Sequence, residues 1–202
     1  MSSDEMEPRA VGRMWLLDLD QPAPAVAPRV AAALRRVTGA DEAELERAMG
    51  GAGASVARLQ TGRRAYAAWV EGELAAYGWV SFEDEAIGEH GLRLRLRPGE
   101  AYLWDFVTRP ANRGQGLYSA LLAFILHELS AEGVRRAWIG ADLDNTASHH
   151  GIERAGFRAV ADLVVAGGPA EPARSVEGLP GVPETLVAAA RYALLGEAGS
   201  LV

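Results

Sequence analysis

Apolar and charged residues alternate without a break over Leu92-Arg93-Leu94-Arg95-Leu96-Arg97, and a period of two predicts an extended strand with one face of arginines. Such a face discourages edge-to-edge pairing. Strands are also expected over residues 14–19, 64–70, 74–82, 100–108, 136–141 and 157–165, with Glu71-Gly72-Glu73 closing the second and third into a hairpin and Pro98-Gly99 turning the arginine strand into the next. An acidic loop, residues 83–90, precedes the arginine strand. Helical spacing of apolar residues runs over 117–132 and over 24–37, where Val30, Ala33, Leu34 and Val37 form a stripe. Asp41 with Glu44 reads as a capping box opening a helix that ends near Gly50-Gly51. Shorter helices are expected from Thr146 and over 184–195, the latter carrying Leu186, Val187, Ala190 and Leu194.

Strands and helices interleaved in this way predict a mixed α/β (α+β) domain. Residues 1–10 read as a disordered leader, 11–166 as the domain, 167–183 as a Gly/Pro-rich linker, and 184–202 as a C-terminal helix and tail. No internal repeat is visible.

At 202 residues the chain is long enough to bury a substantial core. It has no cysteine, which excludes thiol catalysis and disulfides. The acidic N-terminal stretch lacks the apolar region of a signal peptide, and no run approaches the ~20 apolar residues of a membrane span. A cytoplasmic protein without a membrane partner, monomeric or homodimeric, is expected. A formal charge of −7 disfavours nucleic acid and is compatible with a cationic or amine partner.

The turn Arg113-Gly114-Gln115-Gly116 lies between an expected strand and the helix that starts at Leu117. The first amides of a helix lack intrahelical acceptors and carry the positive end of its dipole, so such a turn can hold phosphate. Glycine leaves no side chain between amides and ligand. A P-loop is excluded, because no Gly-Lys-Ser/Thr follows. The spacing Gly114-x-Gly116-x-x-Ser119 approaches a dinucleotide fingerprint, but residues 109–113 separate it from the strand and about half of the chain precedes it.

The stretch from Val107 to Leu122 resembles the GNAT superfamily of acyl-CoA N-acyltransferases, whose pattern is Arg/Gln-x-x-Gly-x-Gly/Ala. Arg113 and Gly116 match it, and Tyr118 stands at its last small position. Downstream, Asn145 at the start of a short helix and Gly156-Phe157 at its close resemble the family's second signature. The resemblance implies a central mixed sheet with flanking helices and a splayed parallel strand pair. It implies acetyl-CoA as acyl donor, with Phe106, Val107 and Thr108 pairing with the pantetheine arm. Arg109, Arg113, Gly114, Gln115, Gly116, Leu117, Tyr118 and Ser119 would surround the pyrophosphate, and Asn145 would either bond the CoA arm or cap its helix.

Acyl transfer needs a neutral amine, and an amine of pKa ~10.4 costs about 4 to 5 kcal/mol to deprotonate at pH 7. A base is therefore sought. Strand alternation places Glu100, Tyr102, Trp104 and Phe106 on one face and Leu103, Asp105 and Val107 on the other. Glu100 is the first candidate base and Asp105 the second, followed by Asp142 and Asp144. Many family members carry an acidic tyrosine four residues before Gly-Phe, where this chain has Ile152. Tyr118, Ser148 and His149 are the alternative donors. His149 and His150 diverge on a helix, and no third ligand at metal spacing accompanies them. The reading is an N-acetyltransferase acting by direct attack on a primary amine of a small molecule or peptide, the alternative being a module that binds acyl-CoA without catalysis.

Overall fold

Residues 7–88, 91–166 and 173–196 are described by the computed structural model. Along the chain come β1 (Arg9–Asp18), β2 (Ala33–Arg36), α1 (Glu42–Ala48), α2 (Ala54–Gln60), β3 (Arg64–Val70), β4 (Glu73–Ser81), β5 (Glu85–Ile87) and β6 (Leu92–Leu94). Then follow β7 (Glu100–Thr108), α3 (Leu117–Ala131), β8 (Arg136–Asp142), α4 (Thr146–Arg154), β9 (Arg158–Ala166), β10 (Ala173–Gly178) and α5 (Glu184–Leu195). Eight strands make one sheet in the order β10-β9-β1-β8-β7-β4-β3-β2, and β5 and β6 form a separate hairpin. Within the large sheet β7 and β8 are parallel, and the other neighbours are antiparallel.

Period-two alternation assigns the two faces of the sheet. Trp15, Tyr66, Ala101 and Leu103 point into one layer with Leu121, Leu122 and Ile125 of α3 and Ile152 of α4. Met14, Leu16, Tyr102 and Trp138 point into the opposite layer, where α5 supplies Ala190, Ala193 and Leu194. On that second side Trp69, Leu74 and Trp79 pack with Leu45 of α1. The mixed α/β arrangement with its parallel pair is the one expected. The Glu71–Gly72 hairpin turn also forms, with both residues at positive φ, as a two-residue turn between twisted strands requires.

Several expectations are corrected. No helix forms over residues 24–37; Ala33–Arg36 is β2, paired with Trp69–Tyr66 of β3. Pro28 in mid-segment has no N–H and opposes a helix. Val30 and Leu34 instead pack beside Leu117, while Val37 joins the α1 layer. The capping box sits one turn early, because Asp41 accepts from the Thr38 N–H and hydroxyl and pairs with Arg35. The arginine strand stops at Leu94: the Arg95 N–H bonds Ala193 O at 2.8 Å, and Arg97 lies 4.3 Å over the Tyr192 ring. Those arginines face α5 rather than a free sheet edge. Strand β10 falls inside the segment read as linker, and Arg9 and Ala10 already belong to β1. The leader's first six residues, Glu89, His90, residues 167–172 of the expected linker and the tail beyond Gly196 lie outside the described residues. Among the described residues no helix is long and apolar enough to cross a membrane.

Candidate active site

Parallel pairing of β7 with β8 runs from Glu100 opposite Arg136 to Leu103 opposite Ile139 and then stops. Both strands continue, so their main-chain groups line an open gap. At the same level β7 bulges: Trp79 opposes Trp104 and Tyr77 opposes Val107, leaving Gly78 opposite both Asp105 and Phe106. Asp105 takes φ 50° to make the bulge. Gly78 is required there, since a Cβ at that position would fall 2.1 Å from Phe106 Cε1.

This bulge reverses the expected alternation. Phe106 leaves the face of Tyr102 and Trp104 and packs toward the α3 layer. Asp105 instead turns to the Trp104 side, where it pairs with Arg58 of α2. The Arg58 guanidinium lies 4.4 Å over the Trp104 ring and 5.1 Å over Trp79, a cation–π arrangement that fixes the cation at the carboxylate. Trp104 is itself oriented by its Nε1–H, which donates to Ser81 Oγ at 2.9 Å. Ser81 in turn bonds the buried Glu85, held by Arg63 through contacts of 2.6 and 2.8 Å. Burial pushes the Glu85 carboxyl up, but Arg63 and Ser81 outweigh it and leave it below its ordinary value.

Two cavities open at the gap. The first, about 730 Å³, is lined by Phe106, Val107, Thr108, Arg113, Gly114, Gly116, Leu117, Tyr118, Ser119 and Asn145, together with Arg29, His150, Gly151 and Arg154. It contains three arginines and no carboxylate. Gly114 and Gly116 both take φ 75°, and Gly116 starts α3. The Ala120 N–H bonds Gly116 O as the first helical link. Among the described residues the amides of Gly116 to Ser119, which open α3, have no protein acceptor, and residues 113–114 form a turn ahead of them. The second cavity, about 530 Å³, lies on the far side of the gap. Its walls include Gly12, Arg13, Met14, Arg58, Ile87, Trp104, Asp105, Asp142 and Leu194. Here the charges are matched: Arg58 pairs with Asp105, and Arg13 holds Asp162 through contacts of 2.7 and 2.9 Å.

The cavities share Phe106, Tyr118, Asn145 and Ser148. Tyr118 stands at their junction, its ring 5.4 Å from Phe106 and seated against Gly151, where a Cβ would come within 2.4 Å of it. Burial pushes the Tyr118 phenol well above its ordinary value, against a smaller opposing effect of Ser148. The phenol therefore keeps its proton at neutral pH. Ile152 is fully buried in the core and lines neither cavity.

Most of the expected residues thus converge, and five, Glu100, Arg109, Gln115, Asp144 and His149, line neither cavity. Glu100 sits at the closed end of the parallel pair, accepting from the Arg97 N–H and Trp138 Nε1–H at 3.1 Å each, with Arg136 at 3.7 Å. It fastens β7 to β8 and lines neither cavity. Arg109 turns to Glu73 at 3.6 Å, and Gln115 offers the cavity no side chain. Asn145 caps α4, accepting from the Ser148 N–H at 3.1 Å, while also lining both cavities. His149 bonds Asp142 O at 2.8 Å, and His150 lines the first cavity. Arg13, Arg29, Arg58 and Arg154 were not singled out. They come from distant segments without a local motif, and only the proline spacing around Arg29 could have marked its segment as non-helical.

A family model described as the acetyltransferase (GNAT) family matches residues 36–157. A curated mycothiol acetyltransferase of Streptomyces avermitilis is 33% identical over 75 residues, which is 37% of this chain and 24% of that protein. In fold the chain is similar to a GCN5-related N-acetyltransferase from Sphaerobacter thermophilus, with TM-score 0.61 and 17% identity over 85% of this chain and 53% of the other. It is also similar to the aminoglycoside N-acetyltransferase AAC(6')-Iy crystallised with CoA, with TM-score 0.50 and 17% identity over 62% of this chain and 91% of that one. The chain spans about a quarter of the curated relative and about half of the Sphaerobacter protein.

Proposed function

We propose, from the premise that this chain belongs to the acetyltransferase (GNAT) family, that it transfers an acetyl group from acetyl-CoA to a primary amine by direct attack. The observation that carries this reading is the meeting of two unlike cavities at Tyr118 and Phe106. The arginine-rich cavity fits the acyl donor: free amides and Arg113 suit the pyrophosphate, and the open edge of Phe106 to Thr108 suits an extended pantetheine arm. The second cavity takes the acceptor, where Asp105 and Asp142 orient the amine and Met14, Ile87 and Leu194 receive an apolar portion.

Asp105 is the base on this account, directly or through water. The ammonium gives up one proton, and the neutral nitrogen attacks the thioester carbonyl. The C–N bond forms and the C–S bond breaks as the nitrogen sheds its second proton to solvent. Tyr118 protonates the departing thiolate and recovers its proton from solvent. The phenol occupies the junction from α3, whereas the tyrosine implied by the family resemblance would come from α4, at Ile152. Tyr118 takes the place of a small residue in the turn motif, and Gly151 leaves room for its ring. The test is release of free CoA with a panel of small-molecule and peptide amines. Amine-dependent release supports the reading, and its absence across the panel favours a non-catalytic acyl-CoA-binding module.

A further inference from the structure

Between β1 and β2 the chain crosses the outside of the phosphate turn, and we propose that Arg29, on this crossing strap, is a positioning residue that aims the turn's amides at the CoA pyrophosphate. The inference rests on the donor reading above. Its ground is a double contact: the Arg29 N–H donates to Gln115 O at 2.8 Å, and Arg29 Nη1–H donates to Gly114 O at 3.3 Å. In a planar trans peptide the C=O and the N–H of the next residue point in opposite directions. Holding the Gly114 carbonyl therefore turns the Gln115 N–H away from the strap, and holding the Gln115 carbonyl does the same for the Gly116 N–H. Gly116 lines the cavity, so its N–H is aimed there, while the Gly114–Gln115 peptide is fixed behind it. Gly114 and Gly116 at φ 75° give a backbone with much conformational freedom, so an external brace has something to fix.

The strap is itself anchored on both sides of Arg29. Ala23 is buried, and Pro24 seats against Gly156, where a Cβ would come within 2.6 Å of Pro24 Cδ. Val30 and Ala32 pack with Leu117 beyond the turn. Pro28 Cα lies 3.8 Å from where a Gly116 Cβ would be, so the strap rests on the turn. Arg29 is exposed and fills no core position, so truncating it leaves the fold intact.

Calorimetric affinities for CoA and for pantetheine, which lacks the phosphates, test the idea on the full chain. Wild type is expected to prefer CoA. Arg29→Ala removes the guanidinium contact and is expected to weaken CoA about tenfold, with pantetheine unchanged. Arg29→Pro also removes the N–H and is expected to lose about a further tenfold, which side-chain charge alone does not explain. Arg29→Lys, keeping charge without the fork, is expected to resemble Arg29→Ala. CoA affinity unchanged in both Arg29→Ala and Arg29→Pro, or equal loss of CoA and pantetheine, overturns the proposal. Full rescue by lysine also overturns it, in favour of direct charge attraction. Equal wild-type affinity for CoA and pantetheine strikes instead at the donor reading beneath it.

Discussion

The two cavities differ in how their charge is held. On the donor side Arg113, Arg154 and the amides that open α3 face the space with no carboxylate to neutralise them, and Arg29 braces the turn beside them, so binding energy is available to a polyanion. On the acceptor side Arg58–Asp105 and Arg13–Asp162 are already paired and are braced on aromatic rings or strands. Such a wall offers little net attraction and much fixed geometry. On the proposed function, this difference assigns affinity to one half of the site, and orientation and proton transfer to the other. Each half should then fail separately.

The largest expected effect falls on the acceptor half. Asp105→Asn keeps size and removes the proton acceptor, so kcat should fall ~10²- to 10⁴-fold with CoA affinity unchanged. The loss should shrink at high pH, where more amine is already neutral, and steady-state rates across pH check it. On the donor half, Gly116→Val places a β-branched side chain at φ 75° and disturbs the turn. An increase of ~10²-fold in KM for acetyl-CoA is expected, with kcat at saturation within a few-fold of normal. A smaller effect is expected at the junction. Tyr118→Phe should slow transfer by roughly 10- to 10²-fold, toward the low end for proton donation because a thiol of pKa ~8.5 already leaves well. Single-turnover rates at saturating substrates measure this.

The smallest effect concerns the brace behind Trp104. Glu85 has a folded-state pKa below its ordinary 4.5, so its contribution to stability is complete above that value and is lost as pH falls through the lower, folded one. Thermal scans from pH 6 downward should show Tm decreasing below about pH 4.5, with a shallower decline in Glu85→Gln. An identical slope in that variant would remove Glu85 from the account.

Legibility in the sequence follows the same divide. The donor turn is local: Arg113 to Ser119 are contiguous, and their flanking strand and helix could be read from apolar periodicity. The acceptor half draws Arg13 from β1, Arg58 from α2, Asp105 from β7 and Leu194 from α5, and periodicity does not report such distant meetings. The face assignment along β7 failed because a bulge adds a residue and reverses the alternation beyond it. Gly78, isolated in the neighbouring strand, was the available sign of a close approach. Glu100 was misplaced because its face was inferred without its height along the sheet, and it lies at the end where β7 and β8 remain paired. The strap over the turn was hidden by apolar residues at helical spacing, although Pro28 argued against a helix.

The central claim is that acyl donor and amine meet at Tyr118 and react directly. The most direct measurement incubates the protein with acetyl-CoA bearing a labelled acetyl group, with and without an amine identified by the panel. Protein, CoA and amine are then followed by mass spectrometry. The account predicts no label on the protein, little CoA release without amine, and one CoA for each labelled amine when the acceptor is present. Label retained on the protein, or tight acetyl-CoA binding with no amine-dependent release, would contradict it.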